Sequence, residues 1–217
     1  MSVSAAVAAR KSVRAFLPDP VGDDVLADLA ERAARAPSGG NVQPWRVYVV
    51  NGSAMQRFRE FIAGRTGEPP EYDMYPANLW EPYRRNRYAL GEAMYATIGI
   101  GRDDKPGRLA QFARNADCFG APAVIFCFID RGMGAAQWSD LGMYLQTFML
   151  LAQEAGLDTC PQEFWSLYPQ SIAEFVKAPL DEMLFCGVSI GHADWDHPIN
   201  TLESPRMPVD RWLRFVD

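Results

Sequence analysis

Arg10-Lys11-Ser12-Val13-Arg14 is the stretch around which the rest of the sequence arranges itself. It packs three cations and a hydroxyl into one short run of a chain whose formal net charge is -6, a local provision for an anion rather than a general basic surface. A phosphate is the natural occupant. The residues before it, Ser2 to Ala9, are alanine-rich and favour helix, so the run is expected at the end of a short N-terminal helix. There its cations complement the helix C-terminal dipole as well as a bound anion. β-branched Val13, followed by Ala15-Phe16-Leu17-Pro18, takes the chain out of the helix, so that Arg10 and Arg14 can reach different parts of one ligand. Taken alone, the run also fits a solvated charge cluster.

Length and composition bound what surrounds it. A chain of 217 residues with 48% apolar and 22% charged residues reads as one globular domain, 1–217, with no linker that divides it. The acidic balance argues against nucleic acid as a partner. No apolar run approaches the roughly 20 residues that span a bilayer, so no membrane association is expected. The N-terminal apolar patch runs straight into Arg10-Lys11 without a preceding basic segment, unlike a signal peptide, and the expected location is cytoplasmic. Cys118, Cys127, Cys160 and Cys186 show no paired spacing and read as reduced core residues.

Outward from the run, Asp23 or Asp24 can cap a helix reaching about residue 35, its apolar positions Val25, Leu26, Leu29, Ala30 and Ala33 recurring at helical spacing. A glycine-bearing loop, 38–43, leads to a strand over 45–50 that ends at the turn Asn51-Gly52, and a helix over 53–63 follows. Residues 65–104 form an excursion rich in tyrosine and arginine, irregular through its prolines and helical only from about Tyr83. Such a segment can stack on and pair with an aromatic, anionic small molecule as a lid, or simply pack onto the body. Pro106 opens a helix that reaches Asn115, and residues 123–129 and 182–190 read as buried strands. Between them, 137–155 is apolar nearly all round, which one small chain cannot bury by itself; a homodimer is expected. Residues 157–163 form a short strand turning sharply at Pro161, Pro169 opens one more helix to about Val176, and 194–217 is a polar arm carrying Trp212, Leu213 and Phe215.

Several chemistries lack their parts. Gly99-Ile100-Gly101 follows a helix and misses the third glycine of a dinucleotide fingerprint. His192, Asp194, Asp196 and His197 have no standard ligand spacing, so no metal is expected, and no hydrolase triad order occurs.

A second stretch decides between the two readings of the basic run. Ala36-Pro37-Ser38-Gly39-Gly40-Asn41-Val42-Gln43-Pro44-Trp45, placed one helix after it, resembles the Pro-Ser-x-x-Asn-x-Gln-Pro-Trp segment of the FMN-dependent nitroreductase family. Asn115 before Gly120-Ala121-Pro122, the segment Gly156 to Glu163, and Arg206 in Ser204-Pro205-Arg206-Met207-Pro208 are similar to three further marks of that family. The resemblance implies an α+β, nitroreductase-like fold with a central, mostly antiparallel sheet flanked by helices, in an intertwined homodimer. It implies that Arg10, Lys11, Ser12 and Arg206 hold the FMN phosphate and that Arg14 faces N1 and O2, stabilising the reduced flavin. Pro37, Ser38, Gly39 and Asn41 would reach the flavin bound mainly by the other subunit. Asn115 would bond the ring system, and the backbone of Pro161, Gln162 and Glu163 would run beneath it, with an amide of Gln162 or Glu163 offered to N5. On this pattern no side chain is catalytic: flavin N5 carries hydride from NAD(P)H to a small aromatic acceptor, a nitroaromatic or quinone, in ping-pong fashion. A reductive dehalogenase, a flavin-fragmenting enzyme or a non-catalytic FMN-binding protein would use the same marks. One departure is Cys118, where some members have a lysine near the flavin pyrimidine.

Overall fold

The computed structural model describes residues 1–216. Apolar runs bounded by turn residues give four strands, β1 (Arg46–Asn51), β2 (Ala123–Asp130), β3 (Asp158–Gln162) and β4 (Glu182–Gly191). They form one sheet in the order β1-β2-β4-β3, each neighbouring pair antiparallel. Seven helices accompany it among the described residues: α1 (Val3–Ala9), α2 (Asp23–Ala33), α3 (Ser53–Ala63), α4 (Tyr83–Thr97), α5 (Lys105–Ala113), α6 (Ala135–Glu154) and α7 (Pro169–Val176). The architecture is α+β.

Because β2 is central, both of its faces are covered, which is why it is a continuous apolar run. Ala123, Ile125, Cys127 and Ile129 join α2 and α6 in one core, while Val124, Phe126 and Phe128 join Phe58 and Met55 of α3 and Ile172 of α7 in the other. The pairing of β2 with β4 slips between Cys127 and Phe128. An extra residue in β4 there reverses the facing, so that Leu184 and Cys186, two apart, enter opposite cores. All four cysteines are buried and free.

Three local expectations change. Neither Asp23 nor Asp24 caps α2: Gly22 does, without a side-chain bond, and both carboxylates sit in the first turn, where they favour the dipole. The chain does not turn at Pro161. β3 runs through it to Gln162, which an edge strand tolerates because its outward N–H needs no partner. And α6 buries more of itself than its composition allowed for, packing Leu141, Tyr144, Leu145, Phe148, Met149 and Ala152 under the sheet and α2, while Ser139, Gly142, Met143 and Gln146 remain as an exposed stripe.

The excursion is half anchored. Glu68 accepts from the backbone N–H groups of Gln170 (2.7 Å) and Ser171 (3.1 Å), capping α7. The Tyr72 hydroxyl donates to the Phe185 carbonyl, its ring against Trp138 and Phe185. Beyond it, α4 has no buried residue. Trp212, Phe215 and Val216 of the C-terminal arm are likewise exposed.

Candidate active site

The basic run reaches its place by joining the sheet. After α1 ends at Ala9 the backbone becomes extended at Arg10, Ser12 forms a parallel bridge with Thr159, and the Val13 N–H donates to the Thr159 carbonyl at 3.0 Å. Phe16 then donates to the Phe119 carbonyl, and Leu17 to that of His192. Residues 12–17 are thereby threaded between the edge of β3, the turn that follows α5 and the loop that follows β4.

Asn200, 2% exposed, fastens the run from the far side. Its Oδ1 accepts from the Arg14 N–H at 2.8 Å, its carbonyl accepts from Lys11 Nζ at 2.8 Å, and its Nδ2 donates to the carbonyls of Ala15 and Asp194. Nothing in the sequence marked this residue. The loop around it is positioned by ordinary capping, His197 Nδ1 accepting from the Ile199 N–H.

Arg32, Arg46, Arg59, Arg65, Arg84, Arg108 and Arg131 each pair with a carboxylate, whereas among the described residues none of Arg10, Lys11, Arg14 and Arg206 does, a property they share with Arg35, Arg57, Arg85 and others elsewhere on the chain. Burial, and then the charge of nearby Arg206, lower the pKa of Arg10. Arg206 Nη1 donates to the carbonyls of Ser204 (2.8 Å) and Pro205 (3.2 Å). Burial pushes the Cys160 thiol up to about 11 against the opposing pull of Arg14 and Arg10, so the thiol stays neutral beside them.

Asn115 lies next to β3. Gln162 Nε2 donates to its carbonyl (3.0 Å) and its Oδ1 (3.1 Å), while Asn115 Nδ2 donates to the Phe112 carbonyl. The Gln162 side chain is therefore buried behind the site. Glu163 follows at the surface, its carboxyl pKa raised by desolvation. Cys118 is fully buried in a left-handed turn with Phe119 (φ 52° and 56°), its thiol pKa pushed up to about 12 by burial, so it offers no charge at the position where a lysine would stand.

One predicted group stands apart. Pro37, Ser38, Gly39 and Asn41 precede β1, the edge of the sheet opposite β3. Their loop is shaped locally: Ser38 Oγ accepts from the Gln43 N–H at 3.0 Å, and Asp140 of α6 accepts from the Gly39 N–H at 3.2 Å. Asp140 was missed by sequence reasoning, although a carboxylate well inside a helix apolar on nearly every side was a visible signal. A cavity of about 480 Å³ between α7 and the ends of β2 and β4 touches none of these residues.

An antiparallel sheet with helices on both faces, its edge strand bridged by a run rich in cations, defines an α+β protein. The nitroreductase family model matches residues 7–192. A 4-nitrobenzoate reductase from Pseudomonas putida is 33% identical over 214 residues, 98% of this chain and 94% of its own. The crystal structure of an FMN and NADPH-dependent nitroreductase NfnB from sphigopyxis sp. strain HMH superposes with a TM-score of 0.96 at 45% identity, covering 100% of both chains. The FMN-dependent NfnB from Mycobacterium smegmatis, solved in complex with NADPH, gives 0.92 at 28% identity, again over 100% of both. The chain belongs to the nitroreductase family.

Proposed function

We propose that this protein is an FMN-dependent NAD(P)H oxidoreductase that reduces nitroaromatic compounds. The observation that carries the proposal is the seating of Arg10, Lys11 and Arg14, none with a carboxylate partner among the described residues, where the N-terminal run joins β3, with the charge of Arg206 felt at Arg10. The donor set fits FMN: cations and the Ser12 hydroxyl for the phosphate, Asn115 for the ring edge. Charge-assisted bonds of this kind contribute about 1.5 to 3 kcal/mol each.

When bound, FMN supplies the hydride chemistry, taking hydride from the nicotinamide and delivering it to the acceptor. The chain's own task is to bind and orient. Arg10, Lys11, Ser12 and Arg206 fix the phosphate end, Arg14 places a positive charge for the pyrimidine end, and the backbone at Pro161 to Glu163 supports the ring. No side chain is required as a nucleophile.

The proposal includes a homodimer. Pro37, Ser38, Gly39 and Asn41 lead into β1, the edge of the sheet opposite the β3 edge that the basic run joins, and on this reading a second copy brings them to the site. The exposed stripe on α6, the bare α4 and the exposed Trp212, Leu213, Phe215 and Val216 of the C-terminal arm supply surface for it. Within the excursion, Arg84 pairs with Glu81 and Arg87 lies over Tyr75, while Arg85 has no carboxylate partner among the described residues. Arg85 is thus the excursion's best candidate for an acceptor carboxylate such as that of a nitrobenzoate.

The test is direct. Purified protein should be yellow, release FMN, and show rapid bleaching by NADPH or NADH in stopped flow, followed by reoxidation with 4-nitrobenzoate. Bound flavin that no nicotinamide reduces would leave a binding protein without turnover. Sedimentation at micromolar concentration should show dimer; a stable monomer would remove the shared site.

A further inference from the structure

We infer that Gln162 is a positioning residue whose side chain, locked by Trp165 and Ser189, dictates which way the Asn115 carboxamide faces. The inference rests on the FMN assignment above for its consequence, but on the chain alone for its geometry.

An indole N–H can only donate. Trp165 Nε1 lies 3.3 Å from one oxygen, Gln162 Oε1, and the Ser189 hydroxyl reaches the same atom at 2.5 Å. With Oε1 so engaged, Nε2 must face Asn115, where it finds two acceptors, the carbonyl at 3.0 Å and Oδ1 at 3.1 Å. Asn115 Nδ2 is consequently turned towards the Phe112 carbonyl. Flipping either amide sets N–H against N–H. Trp165 and Ser189 are fully buried and Gln162 is 3% exposed, so no water can repair such a mismatch.

Polarity therefore passes from a group that has only one, the indole, through Gln162 to a residue at the surface of the site. Asn115 retains one N–H and one Oδ1 lone pair for a ligand. The Gln162 side chain does not touch that ligand; it acts by removing the alternative orientation of the residue that does. The ordering is complete before the ligand arrives, so less is lost on binding.

Gln162→Glu tests this with little change of volume. At pH above its carboxyl's titration it still accepts from Trp165 and Ser189 but can no longer donate to Asn115. In 15N-labelled, FMN-free full-length protein, the Asn115 side-chain amide resonance should shift and exchange faster. FMN affinity should fall about tenfold, the equivalent of one hydrogen bond, and the midpoint potential of the bound flavin should move. Ser189→Ala, which leaves Trp165 as the anchor, should shift the resonance less; it serves as the second variant if Gln162→Glu folds poorly. An Asn115 resonance unmoved in both variants overturns the inference. Should wild-type protein fail to bind FMN, the functional proposal falls, and the resonance still decides the role of Gln162.

Discussion

Arg206 lies close enough to Arg10 that its charge lowers the Arg10 pKa, although the two stand near opposite ends of the chain. Like charges held together oppose folding and favour an anion, so the two effects of removing one should separate. Arg206→Ala should weaken FMN binding about ten- to a hundredfold while leaving the FMN-free protein as stable as wild type or slightly more so. Thermal melts with and without FMN, beside a fluorescence titration of the flavin, measure both. A parallel loss of stability in the FMN-free form would mean that Arg206 is a structural residue.

Asp140 offers a second separation. Its Oδ2 accepts from the Gly39 N–H, and the carboxylate is 5% exposed, so it holds the loop that carries Pro37, Ser38 and Asn41. Asp140→Ala leaves that N–H without its partner at a cost of about 1 to 3 kcal/mol. Asp140→Asn can keep the bond through its remaining oxygen. The alanine variant should bind FMN several-fold more weakly than the asparagine variant, read by titration of the dimer. Equal affinities would detach the loop from the flavin.

How much of this was legible depended on punctuation. The helix at 53–63 and the start of that at 169 were readable to the residue because Gly52, Gly64 and Pro169 mark them, and β2 because an unbroken apolar run has no other use in a chain this size. The basic run and Arg206 were legible as charge. What could not be read was facing. Gln162 was read only for its backbone amide, and the burial of its side chain, with Cys160 buried, Pro161 exposed and Gln162 buried along β3, was not foreseen. Cys118 looked like a substitution at the flavin, and a left-handed turn buries it instead. Asn200 acts entirely through contacts with residues far away in sequence, which no local pattern encodes.

Asp158 sets a pH dependence. Its carboxyl pKa is raised chiefly by burial, against the Ala193 N–H, Gln153, His192 and Lys11, which favour the charged form. A raised folded-state pKa means that the folded protein binds the proton more tightly. The stability this contributes is fully present below the unfolded carboxyl's pKa of about 3.9 and is lost as pH rises through the folded value. Asp158→Asn, which still accepts from the Ala193 N–H (3.1 Å) through its oxygen, should flatten that fall. Urea midpoints taken from about pH 4 to pH 7 provide the comparison; a fall as steep in the variant as in wild type would assign the dependence to another group, Glu163 being the first to examine.

Gly187 is where fold and site meet. A Cβ built there would stand 2.5 Å from Trp165 Cδ1, 2.8 Å from its Nε1 and 3.1 Å from Phe126 Cε1. Those atoms belong to fully buried rings, so neither can swing aside into solvent. Gly187→Ala must therefore push the indole off β4, overpacking the core at a cost of about 1 to 3 kcal/mol. The displaced indole N–H is the one that fixes Gln162, so the damage should extend to Asn115. The expected result is a lower urea midpoint with an unchanged slope, together with FMN affinity reduced more than in a core variant of equal instability on the opposite face, such as Ile125→Val. If the two variants lose FMN affinity equally, the loss follows from general instability and the coupling of Trp165 to the site is not needed to explain it.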